Sequence, residues 1–141
     1  MQGYALVGPL EELSIQEFKE QLGTNVSGVI RVTHSVLPTM TKQRHGTIVN
    51  ISSISGRIGF PLTPAYVSSK FALEGLSESI FCGLEQFGIK VMLIEPGVIK
   101  TSFDNNLRIV AFFIHLSSKL LFGPLSYHMT KRRPVQSSVD L

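Results

Sequence analysis

The chain has 141 residues and a formal net charge of +3; 43% of its residues are hydrophobic and 16% are charged. This composition supports a buried core and argues against a disordered polar chain. The weak basic excess forms no stripe interleaved with aromatic residues, which argues against nucleic-acid binding. No uninterrupted apolar stretch of about 18 residues is present, so we expect no membrane span.

The one cysteine, Cys82, has no partner for an internal disulfide. The four histidines show no ligand spacing, so no metal site is predicted. The N-terminal residues lack the basic region and apolar run of a signal peptide. Together these features predict a reducing, cytoplasmic location.

The first element in the chain is predicted to be a loop over residues 1–10, which contain two glycines and a proline. Ser14 and Glu17 then have the spacing of a capping box, which starts a helix. Apolar residues at helical spacing extend this helix to about Lys42. No internal repeat or low-complexity tract follows.

The interior of this helix contains three residues that are poor helix formers, Gly23, Asn25 and Gly28. Local propensity and the helix prediction therefore disagree around Asn25. Such disagreement is typical of a functional position or of close packing.

Two short runs, Thr47–Ile51 and Lys90–Ile94, are predicted to be buried strands. The helix between them opens with Thr63 as N-cap and Pro64 in its first turn, and Gly88 is its expected C-cap. Strand, helix and strand in this order predict a parallel pair. Because a parallel sheet normally has more strands and helices on both faces, this unit is predicted to be part of a larger doubly wound α/β sheet.

Tyr66 and Lys70 lie four residues apart and share a face of the second helix. A nearby ammonium lowers the pKa of a phenol, which then exchanges a proton with an alcohol or carbonyl near neutral pH. Ser53 follows the first strand, and residues 96–101 follow the second; ligands bind at these carboxyl ends. Ser52 is the adjacent alternative to Ser53. Taken alone, a Tyr-x-x-x-Lys pair also occurs on ordinary protein surfaces.

Four segments carry a resemblance to the short-chain dehydrogenase/reductase family, in the right order and at the right distances across residues 3–103. They are TNVSGVI at 24–30, GTIVNISSISG at 46–56, YVSSK at 66–70 and EPGVIKT at 95–101. The resemblance implies a Rossmann-like fold and a nicotinamide-dependent oxidoreductase acting on an alcohol or carbonyl.

The resemblance also implies roles for individual residues. Tyr66 would be the general acid/base, and Ser53 would orient the substrate oxygen; the 13-residue spacing to Tyr66 favours Ser53 over Ser52. Lys70 would lower the pKa of Tyr66 and bind the nicotinamide ribose. Asn25 would hold a water beside Lys70 through its backbone carbonyl.

Cofactor contacts are implied for a second set of residues. Besides Tyr66 and Lys70, they are Pro96, Gly97, Ile99 and Thr101. An ordinary turn is the alternative for the Pro-Gly pair taken alone. The cofactor would be NAD or NADP, and the residue that selects between them is not encoded in these 141 residues.

The chain departs from the family pattern at its start, because the glycine-rich Gly-x-x-x-Gly-x-Gly turn is absent. We therefore expect an N-terminally truncated member: a partial Rossmann-like doubly wound parallel sheet that lacks the N-terminal dinucleotide-binding βαβ unit. Residues 1–141 would form one incomplete domain, with a catalytic core portion at 1–104 and a divergent tail at 105–141. Within the tail, residues 107–122 are interpreted as a helix that covers the substrate. A membrane-surface segment and an unpaired tail are the alternatives.

Three functions remain open from the sequence. The first is NAD(P)-dependent oxidation of a small, lipophilic alcohol, or reduction of the matching carbonyl. The second is a catalytically inactive module for interaction or oligomerisation, which pairs with a second copy or a full-length relative. The third is a chain that does not fold by itself.

Overall fold

The computed structural model describes residues 3–97, 103 and 106–110. Its strands and α-helices are β1 (Ala5–Val7), α1 (Ile15–Leu22), α2 (Gly28–Gln43), β2 (Gly46–Ile51), α3 (Pro64–Leu84), β3 (Ile89–Ile94) and β4 (Leu107–Ile109). Among these residues, no helix has both the length and the apolar character needed to cross a membrane.

The strands form two parallel pairs. In the first, β2 and β3 pair from Gly46 opposite Ile89 to Ile51 opposite Ile94, and α3 connects them. This arrangement confirms the predicted parallel pair and the α/β class, although each strand begins one residue earlier than predicted. In the second, β1 pairs with β4, with Ala5 opposite Leu107.

The pairing of β1 with β4 corrects two predictions. Residues 1–10 are not all loop, since β1 lies within them, and Leu107–Ile109 form a strand rather than the start of a helix. Both strands are three residues long and exist because each supplies the other's hydrogen bonds. A pairing between opposite ends of the described chain leaves no local pattern in the sequence. Residues 111–122, the rest of the predicted helix, lie outside the described residues.

The predicted capping box at the start of α1 is confirmed. The Ser14 hydroxyl accepts a hydrogen bond from the Glu17 backbone N–H at 3.2 Å, and the Glu17 carboxylate accepts one from the Ser14 N–H at 2.9 Å. The helical path continues to Gln43, near the predicted end, but Gly23–Ser27 is π-helical. The local disagreement noted around Asn25 therefore coincides with a change in helical hydrogen bonding.

Helix α3 begins at Pro64, as predicted, but Thr63 does not cap it with its side chain. The Thr63 hydroxyl instead donates to the carbonyl of Phe60, three residues earlier in the preceding loop, at 3.1 Å. At the other end, a short 3₁₀ turn, Glu85–Phe87, separates α3 from Gly88. Gly88 is in the left-handed conformation with φ of 69°, which fits its predicted capping role.

The two faces of the β2–β3 pair differ in burial. Ile48 and Ile89 point into a core that α3 closes with Leu73, which is 1% exposed. The opposite face carries four apolar side chains that are 47–53% exposed: Val49, Ile51, Met92 and Ile94. We call these four residues the open sheet face. In an α/β fold such a face is normally covered.

Gly88, which follows the 3₁₀ turn at the end of α3, provides a test of the backbone conformation there. A Cβ added there would lie 2.5 Å from the Arg44 carbonyl oxygen, and its positive φ disfavours any other residue. We expect Gly88→Ala to lower the free energy of unfolding by more than about 1 kcal/mol, as measured by urea denaturation. Gly83→Ala is the matched control, because a Cβ at this position in α3 meets nothing within 4 Å. It should leave the protein unchanged or stabilise it by up to about 1 kcal/mol.

Candidate active site

Two polar contacts fix how α3 lies against β2. The Asn50 side-chain amide donates to the Ser77 hydroxyl at 2.9 Å, and the Lys70 ammonium donates to the Ile51 carbonyl at 2.9 Å. Asn50, Ser77 and Lys70 are all buried. Their contacts bring the first half of α3 to the carboxyl end of β2.

At that end the structure brings Ser53, Tyr66 and Lys70 together. The Lys70 ammonium lies 5.6 Å from the centre of the Tyr66 ring. Ser53, just beyond β2, interacts with the Tyr66 phenol through a side-chain hydrogen bond. The ring of Phe103 lies 6.2 Å from that of Tyr66, at an interplanar angle of 44°, and adds an apolar wall. A phenol, an ammonium and a hydroxyl thus lie together at the carboxyl end of β2.

Burial dominates the electrostatics of this group. Desolvation raises the pKa of Tyr66, while hydrogen bonding with Ser53 opposes the rise. Desolvation lowers the pKa of Lys70, and the charge of Glu74 opposes the fall. The expected lowering of the Tyr66 pKa is therefore not found here, because the cost of burying a phenolate exceeds the stabilisation that its neighbours supply.

The structure separates the two candidate serines. The Ser52 side chain is buried and lies on the other side of the loop, where its hydroxyl would be 2.8 Å from a Cβ built on Gly56. Ser53 instead faces Tyr66, and its hydroxyl also accepts a hydrogen bond from the Ser55 N–H at 3.1 Å. This second bond fixes the orientation of the Ser53 side chain, so Ser53 is the serine whose hydroxyl lies beside the Tyr66 phenol.

Asn25 lies in the π-helical segment and is 5% exposed. Its side-chain amide donates to the Ser69 hydroxyl at 3.0 Å, and Ser69 donates to the Tyr66 carbonyl at 2.7 Å. Asn25 therefore stabilises the turn of α3 that carries Tyr66. Asn25 and Lys70 also line the same cavity, which has a volume of about 340 Å³.

Of the predicted cofactor contacts beyond Tyr66 and Lys70, Pro96 and Gly97 are described, whereas Ile99 and Thr101 lie outside the described residues. The Pro96 carbonyl accepts a hydrogen bond from the Ile54 N–H at 3.1 Å. This contact ties the segment after β3 to the loop that carries Ser53. Gly97 is exposed, and a Cβ there would meet nothing within 4 Å.

Sequence reasoning missed two features around the site. One is Gln21, which is fully buried and bridges β1 to α1: it accepts from the Leu6 N–H and donates to the Tyr4 carbonyl, both at 2.8 Å. The other is an ionic cluster in which Arg57 contacts Glu74 and Glu95. The spacing of Glu74, four residues after Lys70 on the same helix, could have indicated that a charged cluster lies there. No local pattern pointed to Gln21.

Comparison with known proteins assigns the family. The family model described as short chain dehydrogenase matches residues 2–109. The chain is 52% identical over 100 residues to the uncharacterized oxidoreductase YusZ of Bacillus subtilis, covering 71% of this chain and 36% of that protein. It is 45% identical over 105 residues to human retinol dehydrogenase 8, covering 74% of this chain and 34% of that protein. The chain therefore belongs to the short-chain dehydrogenase family, and it spans about a third of the length of these two relatives.

Solved structures agree with this assignment. A short-chain dehydrogenase from Streptomyces avermitilis superposes with a TM-score of 0.73 at 35% identity, covering 78% of this chain and 42% of that one. ElxO with NADP bound gives 0.68 at 36% identity, covering 73% and 44%. A 4-hydroxyisoleucine dehydrogenase complexed with NADH and succinate gives 0.67 at 31% identity, covering 72% and 50%.

The two serines give a direct test of the site geometry. Because hydrogen bonding with Ser53 lowers the pKa of Tyr66, we expect Ser53→Ala to raise that pKa further. The measurement is a tyrosinate absorbance titration, with the Tyr66 component assigned by its loss in Tyr66→Phe. Ser52→Ala is the matched control and should leave the Tyr66 pKa unchanged. Equal effects of the two substitutions would contradict the arrangement.

Proposed function

We propose that this chain carries the proton-transfer site of an NAD(P)-dependent oxidoreductase that acts on the CH–OH group of an alcohol or on the matching carbonyl. The observation that carries the proposal is the meeting of Ser53, Tyr66 and Lys70 at the carboxyl end of β2. Tyr66 serves as the general acid/base, Ser53 orients the substrate oxygen, and Lys70 supports Tyr66. Because the chain spans only part of its relatives, the activity is proposed for the protein to which this site belongs.

The proton chemistry follows from the state of Tyr66. Its raised pKa keeps the phenol protonated at neutral pH, which is the form that gives a proton to an alkoxide as a carbonyl is reduced. In the oxidation direction Tyr66 must first lose its own proton, and the phenolate oxygen then accepts the hydroxyl proton of the alcohol. Ser53 donates a hydrogen bond to the substrate oxygen and stabilises the charge that develops there.

The residues of the site fit a nicotinamide cofactor. When bound, NAD or NADP accepts the hydride from the carbinol carbon or returns it to the carbonyl. An ammonium has three N–H donors, and Lys70 uses one of them on the Ile51 carbonyl, which leaves donors for ribose hydroxyls. Pro96, Gly97, Ile99 and Thr101 are proposed to contact the nicotinamide side. Relatives with bound NADP and with bound NADH support the cofactor class for this chain.

Asn25 is proposed to connect the site to solvent. The cavity that it shares with Lys70 has the volume to hold ordered water. A water held by the Asn25 backbone carbonyl would pass protons between Lys70 and bulk solvent. The side-chain contact with Ser69 keeps the π-helical turn in place for that role.

A lipophilic alcohol or carbonyl is the proposed substrate class. The similarity to a protein named retinol dehydrogenase 8 supports a lipophilic substrate. So does the ring of Phe103, which places an apolar surface beside Tyr66.

The experiment measures turnover and cofactor binding by the purified chain. Retinol serves as the test alcohol, and NADH or NADPH fluorescence reports binding. We expect Tyr66→Phe to lower kcat by about a hundredfold to ten-thousandfold, the usual contribution of a positioned acid/base, while cofactor binding is retained. Tyr4→Phe is the matched control and should keep full activity, because Tyr4 contacts Arg108 rather than Lys70. An active parent protein whose kcat is unchanged in folded Tyr66→Phe would overturn the proposal.

A second candidate function is supported by the open sheet face. Its four apolar side chains are about half exposed on a strand pair, and exposed apolar patches of this kind mark interaction surfaces. Under this alternative the chain is a catalytically inactive interaction or oligomerisation module, and a second copy of the chain covers the face.

Substitutions on this face test the alternative. Val49 and Met92 lie opposite each other in the β2–β3 register. We expect the double variant Val49→Lys/Met92→Lys to weaken self-association by about tenfold or more, because two apolar side chains lose their burial. Sedimentation velocity over a concentration series measures this change. Leu10→Lys, at an exposed site away from the sheet, is the control. A parent chain that stays monomeric throughout would exclude self-association.

A further inference from the structure

A carboxylate is buried one helical turn beyond Lys70. Glu74 is 5% exposed and Lys70 is 8% exposed, and both lie on α3 four residues apart, so they share one face. Neither Glu74 oxygen has a hydrogen-bond partner among the described residues. Burying a charged group without hydrogen bonds is costly, so its position in the core calls for a compensating charge.

Arg57 supplies part of that compensation. Its guanidinium lies 3.3 Å from the Glu74 carboxylate and makes two hydrogen bonds with Glu95, at 2.8 and 3.1 Å. This bidentate pairing with Glu95 is the strong geometry for a guanidinium. Arg57 therefore joins the loop after β2 to α3 and to the end of β3. Glu78, at 3.8 Å from Arg57, is 67% exposed in its side chain and only borders the cluster.

The loop backbone holds Glu74 in place from the other side. A Cβ built on Gly56 would lie 2.8 Å from the Glu74 Cγ and 3.0 Å from its Oε1. The same position would be 2.8 Å from the Ser52 hydroxyl, which is also buried and has no hydrogen-bond partner within the described part of the chain. The lack of a side chain at residue 56 is thus what allows the loop to close over the carboxylate.

We propose that Glu74 is a positioning residue for Lys70: its buried carboxylate, held by Arg57 and the loop at Gly56, keeps Lys70 as an ammonium beside Tyr66. This proposal rests on the proposed function of Lys70. The ammonium form has three N–H donors and donates more strongly to the Ile51 carbonyl and to ribose hydroxyls than a neutral amine does. Only the ammonium carries the positive charge that favours the Tyr66 phenolate.

The charged groups around Lys70 come from several elements. Helix α1, which packs against α3, carries Glu17, Lys19 and Glu20, none of which is buried. On its own helix the titratable groups beside it are Tyr66 and Glu74. β2 presents the Ile51 carbonyl, and both β2 and the π-helical segment have no titratable side chain. Arg57 forms ion pairs with Glu74, Glu78 and Glu95. Burial lowers the pKa of Lys70, and the Glu74 charge opposes that fall.

The test follows the Lys70 pKa by NMR in the full chain labelled with ¹³C-lysine, with the Lys70 signal assigned by its loss in Lys70→Met. We expect Glu74→Gln to lower the Lys70 pKa below that of the parent. Glu78→Gln, which removes an equal charge from the edge of the cluster, should change it little. Unfolding would move the pKa the other way, toward the ordinary value of a lysine, so the sign distinguishes lost charge from lost structure.

Two results would overturn the proposal: an unchanged Lys70 pKa in folded Glu74→Gln, or equal shifts in Glu74→Gln and Glu78→Gln. If Glu74→Gln does not fold, Glu74→Asp and Glu74→Ala form a second pair, and the Lys70 pKa must be lower in the alanine variant. The readout needs neither cofactor nor turnover. An unchanged kcat in Tyr66→Phe would therefore refute the proposed function and leave this electrostatic result to be judged separately.

Discussion

The arrangement of the site depends on the hydrogen bond between the Lys70 ammonium and the backbone carbonyl of Ile51, which is the last residue of β2. An ammonium buried in the protein interior needs a partner, and the backbone carbonyl at the end of β2 supplies one. The bond fixes which turn of α3 faces the carboxyl end of β2. Once that turn is fixed, the phenol four residues earlier lies beside the serine that follows the strand.

Buried polar groups, rather than apolar packing alone, define how the elements meet. Asn50 bonds Ser77 between β2 and α3, and Asn25 bonds Ser69 between the π-helical segment and α3. Each contact leaves an unpaired group if the helix shifts by one residue, and an unpaired buried polar group costs about 1–3 kcal/mol. Such contacts give a single arrangement where apolar side chains would tolerate several. The catalytic geometry proposed here depends on that specificity.

In the π-helical turn, residues that destabilise a regular α-helix also place the Asn25 side chain against α3. Gly23, Asn25 and Gly28 weaken a regular α-helix, and π-helical turns are frequent at functional sites. The turn places the Asn25 side chain against α3 and leaves a cavity that Asn25 and Lys70 share. A regular helix former at residue 25 would lack the amide that bonds Ser69. The low helix propensity of this segment is therefore linked to the hydrogen bond that holds the Tyr66 turn of α3 in place.

The sequence by itself determined the elements whose causes are local. Neighbouring residues explain the capping box of Ser14 and Glu17, the start of α3 at a proline and the turn at Gly88. They also explain strands β2 and β3 and the shared helix face of Tyr66 and Lys70. Only the tertiary structure decided the pairing of β1 with β4, the contact of Gln21 with β1 and the direction of the Tyr66 pKa. Each of these depends on groups far apart in the chain and on how much water their contact excludes. Burial and long-range pairing are properties of the folded chain, so spacing and propensity do not encode them locally.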